Sequence, residues 1–138
     1  MQTFLPYGDF QKSASVLDYK RLGKQRVEAK QIITALELDK GWINHPTTKM
    51  WKGYTTSLVM YGLAVCTEWK KRGYVDNLTP FFQSRLFDSP IFPPWFGDER
   101  FHSSHRAALL AKNPVWYQQF NWHEKPQIQY WWPTKELR

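Results

Sequence analysis

The side chains that could do chemistry crowd the first half of one predicted helix. The stretch 18–36 reads DYKRLGKQRVEAKQIITAL, and the charged and amide side chains between residues 20 and 28 are Lys20, Arg21, Lys24, Gln25, Arg26 and Glu28. Lys20, Lys24 and Glu28 recur every fourth residue and therefore share one side of a helix. A carboxylate set among cations keeps a low pKa and can stabilise a developing positive charge. The alternative is a solvated helix face whose charges pair weakly.

The same stretch contains the pattern that would hold this cluster in place. The spacings of three and four shared by Leu22, Arg26, Ala29, Ile33 and Leu36 predict a helix running to about residue 38, before Gly41. Its first half would form a charged surface and its second half would anchor in the core. Gly23 interrupts the helix at a cost of about 1 kcal/mol, which predicts a close approach by a ligand or another backbone.

Length and composition limit the class of protein. The chain has 138 residues, which fits a single domain spanning 1–138. Its net charge of +7 favours nucleic acid as a partner over an anionic membrane surface, and the alternative is a merely basic protein. Cys66 is the single cysteine, so no disulfide or cysteine zinc cluster can form, and its apolar surroundings predict a core residue. The sequence shows no signal peptide or membrane span, so we expect an intracellular protein.

The predicted fold is mainly α, with three main helices and long irregular loops rich in proline and aromatic residues. The helices cover 18–38, 55–72 and 98–112, with short helical turns near 9–17 and 113–120. The irregular stretch 74–97 carries four prolines, and its aromatic side chains could either cover the core or insert into a base stack. The aromatic tail QIQYWWPTKELR could likewise pack on the body or stack on bases.

Three further polar residues are candidates for the site. His45 lies in the connection 42–51, where it could be a helix cap or solvated, or could have a catalytic or DNA-contact role. His105 and Arg106 lie on the third main helix, and His105 could be a hydrogen-bonded interface residue or could activate water. His102 and His105 have a spacing that could hold a metal, but no third ligand is evident, so no metal or cofactor is predicted.

Several segments in register resemble the pyrimidine-dimer DNA glycosylases, the endonuclease V-like family. Tyr19, Lys20 and the Arg26-Val27 pair are placed as in that family's first helix, and TEWKKRGY and KNPVWYQQF resemble its later segments. The opening TFLP and the run RLGKQRVEA resemble a bacterial and phage branch of the family. The resemblance implies a compact, mainly helical, metal-free monomer that acts in the cytoplasm on double-stranded DNA.

The resemblance also implies a mechanism. The enzyme flips a base, and the N-terminal amine attacks the sugar C1′ of a damaged pyrimidine, so that an imine forms and the base leaves. Strand cleavage by β-elimination would follow. The family's phosphate contacts come from the first helix, and here we expect the DNA-binding set to be Lys20, Arg21, Lys24, Gln25, Arg26, His45 and Arg106.

Two positions depart from the family pattern. The long side chain of Gln2 should block removal of Met1, so the amine would belong to Met1. The family's catalytic glutamate aligns near Gly23, and Glu28 is the nearest carboxylate on the helix. The imine former could therefore be the Met1 amine or a lysine, Lys20 or Lys24. Water activated by Glu28 or His105 would need no amine.

Two functions of other classes stay open on these residues. The first is a DNA-binding protein that keeps the glycosylase fold without catalysis. It would bind duplex DNA with a steep salt dependence and release no base. The second is binding of RNA or single strands through the aromatic tail, which would favour single strands over duplex.

Overall fold

The computed structural model describes residues 1–87, 89–134 and 137, and the described chain is mainly helical. Within these ranges, seven α-helices and two 3₁₀ turns follow one another in the order α1 (Phe10–Val16), α2 (Tyr19–Leu38), a 3₁₀ turn (Trp42–Asn44), α3 (Pro46–Trp51), α4 (Thr55–Lys71), α5 (Thr79–Gln83), α6 (Glu99–Lys112), α7 (Pro114–Tyr117) and a second 3₁₀ turn (Gln118–Phe120). The three longest are α2, α4 and α6, so the predicted fold class is confirmed. Among the described residues no helix is long and apolar enough to cross a membrane.

Short polar side chains fix where the helices begin. Asp9 caps α1 by accepting from the Lys12 N–H at 2.7 Å, and Asp98 caps α6. His45 caps α3, ahead of a proline at the first helical position. Helix α2 ends at Leu38 before Asp39, whose φ of 53° is left-handed. These caps set the starts of α1, α3 and α6, whereas Asp18 before α2 and Tyr54 before α4 make no side-chain cap.

The core lies where α4 packs against α2 and α1. Fully buried side chains from the helices meet there, among them Leu22, Ile33, Leu58 and Val65. Cys66 is buried in the same core, where burial raises the pKa of its thiol to about 12. The thiol is therefore an inert packing group, as its apolar surroundings predicted.

Gly23 makes room for a side chain rather than for a ligand or a backbone. A Cβ at this position would lie 2.9 Å from Cη2 of Trp69 on α4. Tyr19 stacks on the same indole, with ring centroids 5.5 Å apart, and the Arg26 guanidinium lies 5.0 Å from its centroid. The expected close approach is therefore present, but it belongs to packing between α2 and α4.

The aromatic loop and tail mostly pack on the body. In the loop 74–97, Phe82 and Trp95 are buried, and α5 is a short helix that the periodicity did not reveal. Phe87 remains 78% exposed. The tail follows α6, where Gln127 N donates to Ala107 O at 3.1 Å, and its aromatic residues 130–132 pack half-buried against the core. Packing therefore accounts for most of these aromatics.

Gly62 provides a test of the packing between α4 and α5. A Cβ at Gly62 would lie 2.3 to 2.6 Å from three ring atoms of Phe82. Although alanine is the better helix former, Gly62→Ala should lower the free energy of unfolding by about 1–3 kcal/mol through overpacking. Denaturant unfolding measures this. Combining it with Phe82→Leu should recover part of the loss, and strictly additive effects would contradict the proposed clash.

Candidate functional site

The N-terminal segment, residues 1–6, runs in extended form through the middle of the protein. Residues 2–6 are buried, and Thr3 and Leu5 are wholly inaccessible. It lies between α2, α4 and α6, with no strand beside it in the described chain. Because buried backbone N–H and C=O groups need partners, side chains must supply them here.

Gln25 on α2 is the central partner of this segment. Its Nε2 donates to Gln2 O at 2.7 Å and to Glu28 Oε2 at 3.2 Å. Its Oε1 lies 2.9 Å from Phe4 N and 2.6 Å from the Tyr61 hydroxyl. Both donors and both acceptor sites of this amide are in use. Gln25, predicted as a DNA contact, thus holds the chain terminus in place.

Helix α6 holds the other end of the segment. Leu5 N donates to Nδ1 of His105 at 3.0 Å, and Leu5 O lies 2.7 Å from Nδ1 of His102. Arg106 donates from Nη1 to Pro6 O at 2.7 Å and pairs with Glu124. Two helices therefore fix the path of one short stretch of chain.

The carboxylate of Glu28 is hydrogen-bonded to the backbone of Gln2, the residue that follows Met1. Its Oε2 accepts from Gln2 N at 3.2 Å, and its Oε1 lies 3.7 Å from Nζ of Lys24. The carboxylate side chain is only 9% exposed, whereas the Lys24 side chain is 74% exposed. A carboxylate in this position can stabilise positive charge that develops near Met1.

An open cleft of about 460 Å³ is lined by Met1 and Glu28. Four cationic side chains line it together with the terminal residues and two residues of the tail: Met1, Gln2, Phe4, Lys20, Arg21, Lys24, Gln25, Glu28, Lys112, Ile128 and Tyr130. Lys112, from the end of α6, was not predicted as a site residue. Its charge inside the KNPVWYQQF segment was the signal that could have revealed it. The cleft combines an amine, a carboxylate and a rim of positive charge.

His45 lies beside this group through Thr47. The Thr47 hydroxyl reaches Met1 O at 3.4 Å, and Thr47 N donates to Nδ1 of His45 at 3.1 Å. Partial burial lowers the pKa of His45, and the positive amine of Met1 lowers it further, while Glu28 acts in the opposite direction. With Nδ1 accepting a hydrogen bond, the neutral ring carries its proton on Nε2.

Two of the predicted phosphate contacts are engaged within the protein. Arg26 donates from Nε to Asp76 Oδ1 at 2.8 Å. Burial acts to raise the pKa of Asp76, but hydrogen bonds from Thr79 and Arg26 outweigh it and bring the pKa to about 2. Arg106 is buried and paired with Glu124. Neither guanidinium lines the cleft, so these arginines have structural partners rather than a free face for phosphate.

His105 is fully buried, and its ring packs between aromatic neighbours. Its Nδ1 accepts from Leu5, and in the described part of the chain its Nε2 has no hydrogen-bond partner. The rings of Phe101 and Tyr130 lie 4.3 and 5.4 Å away, measured between centroids. This environment supports a positioning role for His105 more than activation of water.

The geometry defines a helical protein in which the first residue and a buried glutamate line one basic cleft. A comparison with known protein families matches residues 1–80 to the family described as pyrimidine dimer DNA glycosylase. The chain therefore belongs to the pyrimidine dimer DNA glycosylase family, and the suspected family is confirmed. No curated protein and no solved structure matches the chain. The match covers the N-terminal segment and α1 to α4, while α6 and the tail lie beyond it.

Acid should weaken the fold through His105. Burial, with a smaller effect of His102, lowers the pKa of His105 from 6.5 to about 3. Below pH 6.5, His105 becomes protonated in the unfolded chain but stays neutral in the folded chain. The free energy of unfolding should therefore fall as the pH drops, by up to about 1.4 kcal/mol per pH unit from this group.

Urea unfolding of the wild type and of His105→Asn, at about pH 7.5 and about pH 5, measures this contribution. An asparagine side chain does not titrate, so the variant should lose less stability on acidification than the wild type. Equal losses in the two proteins would show that His105 is not held neutral.

Proposed function

We propose that this protein is a monomeric DNA glycosylase that removes a damaged or modified pyrimidine from double-stranded DNA, with the Met1 amine as nucleophile. The observation that carries the proposal is the 3.2 Å contact between Glu28 Oε2 and Gln2 N. This contact places the buried carboxylate of Glu28 against the backbone of the residue that follows Met1, in a cleft lined by cationic side chains. Membership of the family supports the same class of reaction.

The proposed reaction begins with the Met1 amine, continues through a cation that Glu28 stabilises, and ends with strand cleavage. The neutral amine attacks C1′ of the flipped nucleotide, the bond from C1′ to the base breaks, and the base leaves. The departing base takes up the proton that the attacking amine releases. The C1′–O4′ bond then breaks as O4′ takes a proton from solvent, which leaves a positively charged iminium ion that Glu28 stabilises. Loss of a proton from C2′ then allows β-elimination of the 3′ phosphate. The cleft volume of about 460 Å³ is in the range of pockets that hold small organic groups.

Two features favour the Met1 amine over its alternatives. If Met1 were removed, the new Gln2 amine could attack its own side-chain amide and release ammonia, which would leave a cyclic terminus without a nucleophile. Lys20 and Lys24 are exposed, so their ammonium groups stay hydrated. Intact mass should show that Met1 is retained.

Replacing Glu28 separates chemistry from binding. Glu28→Gln keeps a polar acceptor near Gln2 N but removes the charge, so base release should fall by about 10²-fold or more while duplex affinity changes little. Borohydride reduction with duplexes carrying a thymine dimer, a modified pyrimidine or an abasic site should trap a covalent adduct with the wild type, and peptide mapping should locate it on Met1.

A lysine adduct would transfer the nucleophile's role to that lysine, and base release without an adduct would favour activated water. Duplex binding without either product would favour a binding protein that keeps the fold. Full activity of Glu28→Gln would remove Glu28 from the mechanism.

The basic rim should control affinity through phosphate contacts. Lys24→Ala and Lys112→Ala should each weaken duplex binding and lower the salt slope by about 1. Lys52→Ala is the matched control, because Lys52 is exposed and lines a different cavity. Titrations at several salt concentrations measure the slope. If the control and the rim variants behave alike, the rim does not bind phosphate specifically.

A further inference from the structure

Two histidines on α6 bind both polar groups of a single residue in the N-terminal segment. His105 Nδ1 accepts from Leu5 N at 3.0 Å, and His102 Nδ1 lies 2.7 Å from Leu5 O. His102 and His105 are separated by three residues, so they project from the same side of α6. Leu5 is wholly buried, and water cannot replace either histidine.

The hydrogen-bond partners determine which ring nitrogen carries the proton in each histidine. Leu5 N–H can donate only to an unprotonated Nδ1, so His105 carries its proton on Nε2. Leu5 O needs a donor, so His102 carries its proton on Nδ1, and its Nε2 accepts from Gly97 N at 2.9 Å. Both rings are therefore neutral, and burial lowers the pKa of both. The pair offers one acceptor and one donor, as a neighbouring strand would.

We propose that His102 and His105 are positioning residues that fix the register of the N-terminal segment and thereby hold Met1 at the cleft that Glu28 lines. The contacts of His102 and His105 with Leu5 form a clamp on the N-terminal segment. The proposal rests on the proposed function for its catalytic consequence, but the clamp itself can be measured without DNA. A slip by one residue would move the amine by about 3.3 Å and turn every side chain to the opposite face.

The contacts at the other end of the segment do not replace this clamp. Gln25 and Glu28 bind Gln2 and Phe4 from α2, which lies on one flank of the segment. Without α6, Leu5 N and Leu5 O would be buried without partners, and a buried polar group without a hydrogen bond is destabilising. The segment would then leave its path near residue 5, and Met1 would lose its fixed distance from the carboxylate.

Substitutions that keep one nitrogen position at a time make the proposal testable. An asparagine amide reaches the position of a histidine Nδ1, and a glutamine amide reaches the position of Nε2. His102→Asn can therefore still donate to Leu5 O but loses Gly97, while His102→Gln keeps an acceptor for Gly97 and loses Leu5. His105→Asn keeps an acceptor for Leu5 N, and His105→Leu removes it with little change in volume.

Hydrogen exchange of the peptide covering residues 1–6 measures the clamp, and the rate of borohydride trapping on an abasic duplex measures its consequence. His102→Gln and His105→Leu should raise exchange at Leu5 and slow trapping by about tenfold or more, because small misplacements of a nucleophile are costly. His102→Asn and His105→Asn should stay close to the wild type. Duplex affinity should be unchanged in all four, because none of these side chains lines the cleft.

The pattern of results decides between the possible roles. If His102→Asn loses protection and trapping while His102→Gln keeps both, the contact with Gly97 is the important one, and the proposal is overturned. It is equally overturned if all four variants keep both. If His105→Leu does not fold, the comparison of His102→Asn with His102→Gln still tests the proposal. If the wild type itself gives no adduct, the amine mechanism fails, and the exchange pattern alone supports or overturns the clamp.

Discussion

The whole structure depends on one constraint, which is that the backbone of residues 2–6 is buried without a strand beside it in the described chain. Each buried polar group of that segment would cost about 1–3 kcal/mol if left unpaired. Side chains from three helices provide the partners: Gln25, Glu28, Tyr61, His102, His105 and Arg106. The helices must therefore pack at positions and angles that let those side chains reach the backbone of the N-terminal segment. The segment thus constrains how the helices pack around it.

The same constraint links stability to the proposed chemistry. The network that satisfies the segment ends at Glu28, which is also the carboxylate facing the cleft. Gln25 uses all four of its hydrogen-bonding sites, so it has no freedom to move toward DNA. A reactive amine at a free chain end would ordinarily be mobile. Here, residues 2–6 are anchored within the protein and restrain the chain end next to them. For the proposed chemistry, this restraint would supply the preorganisation that catalysis requires.

The positive charge of the molecule divides into two groups with different roles. Arg26 and Arg106 are held by carboxylates and stabilise the fold. The cleft is lined by three lysines, Lys20, Lys24 and Lys112. Water solvates their ammonium groups, and DNA phosphates could take the place of that water. Arg21 belongs to both groups, because it lines the cleft and pairs with Asp18 at 3.1 Å. Net charge alone therefore overstates the surface available to DNA.

The sequence by itself determined the three long helices and the polar cluster on α2, because helical periodicity is a local property. It also placed Met1, Glu28 and the lysines in one candidate site. Only the tertiary structure decided that Gln25 and His105 serve the backbone of the N-terminal segment and that Gly23 admits Trp69. It also brought Lys112 to the cleft. These are contacts between residues distant in the chain, and no local pattern records which buried group a polar side chain will satisfy.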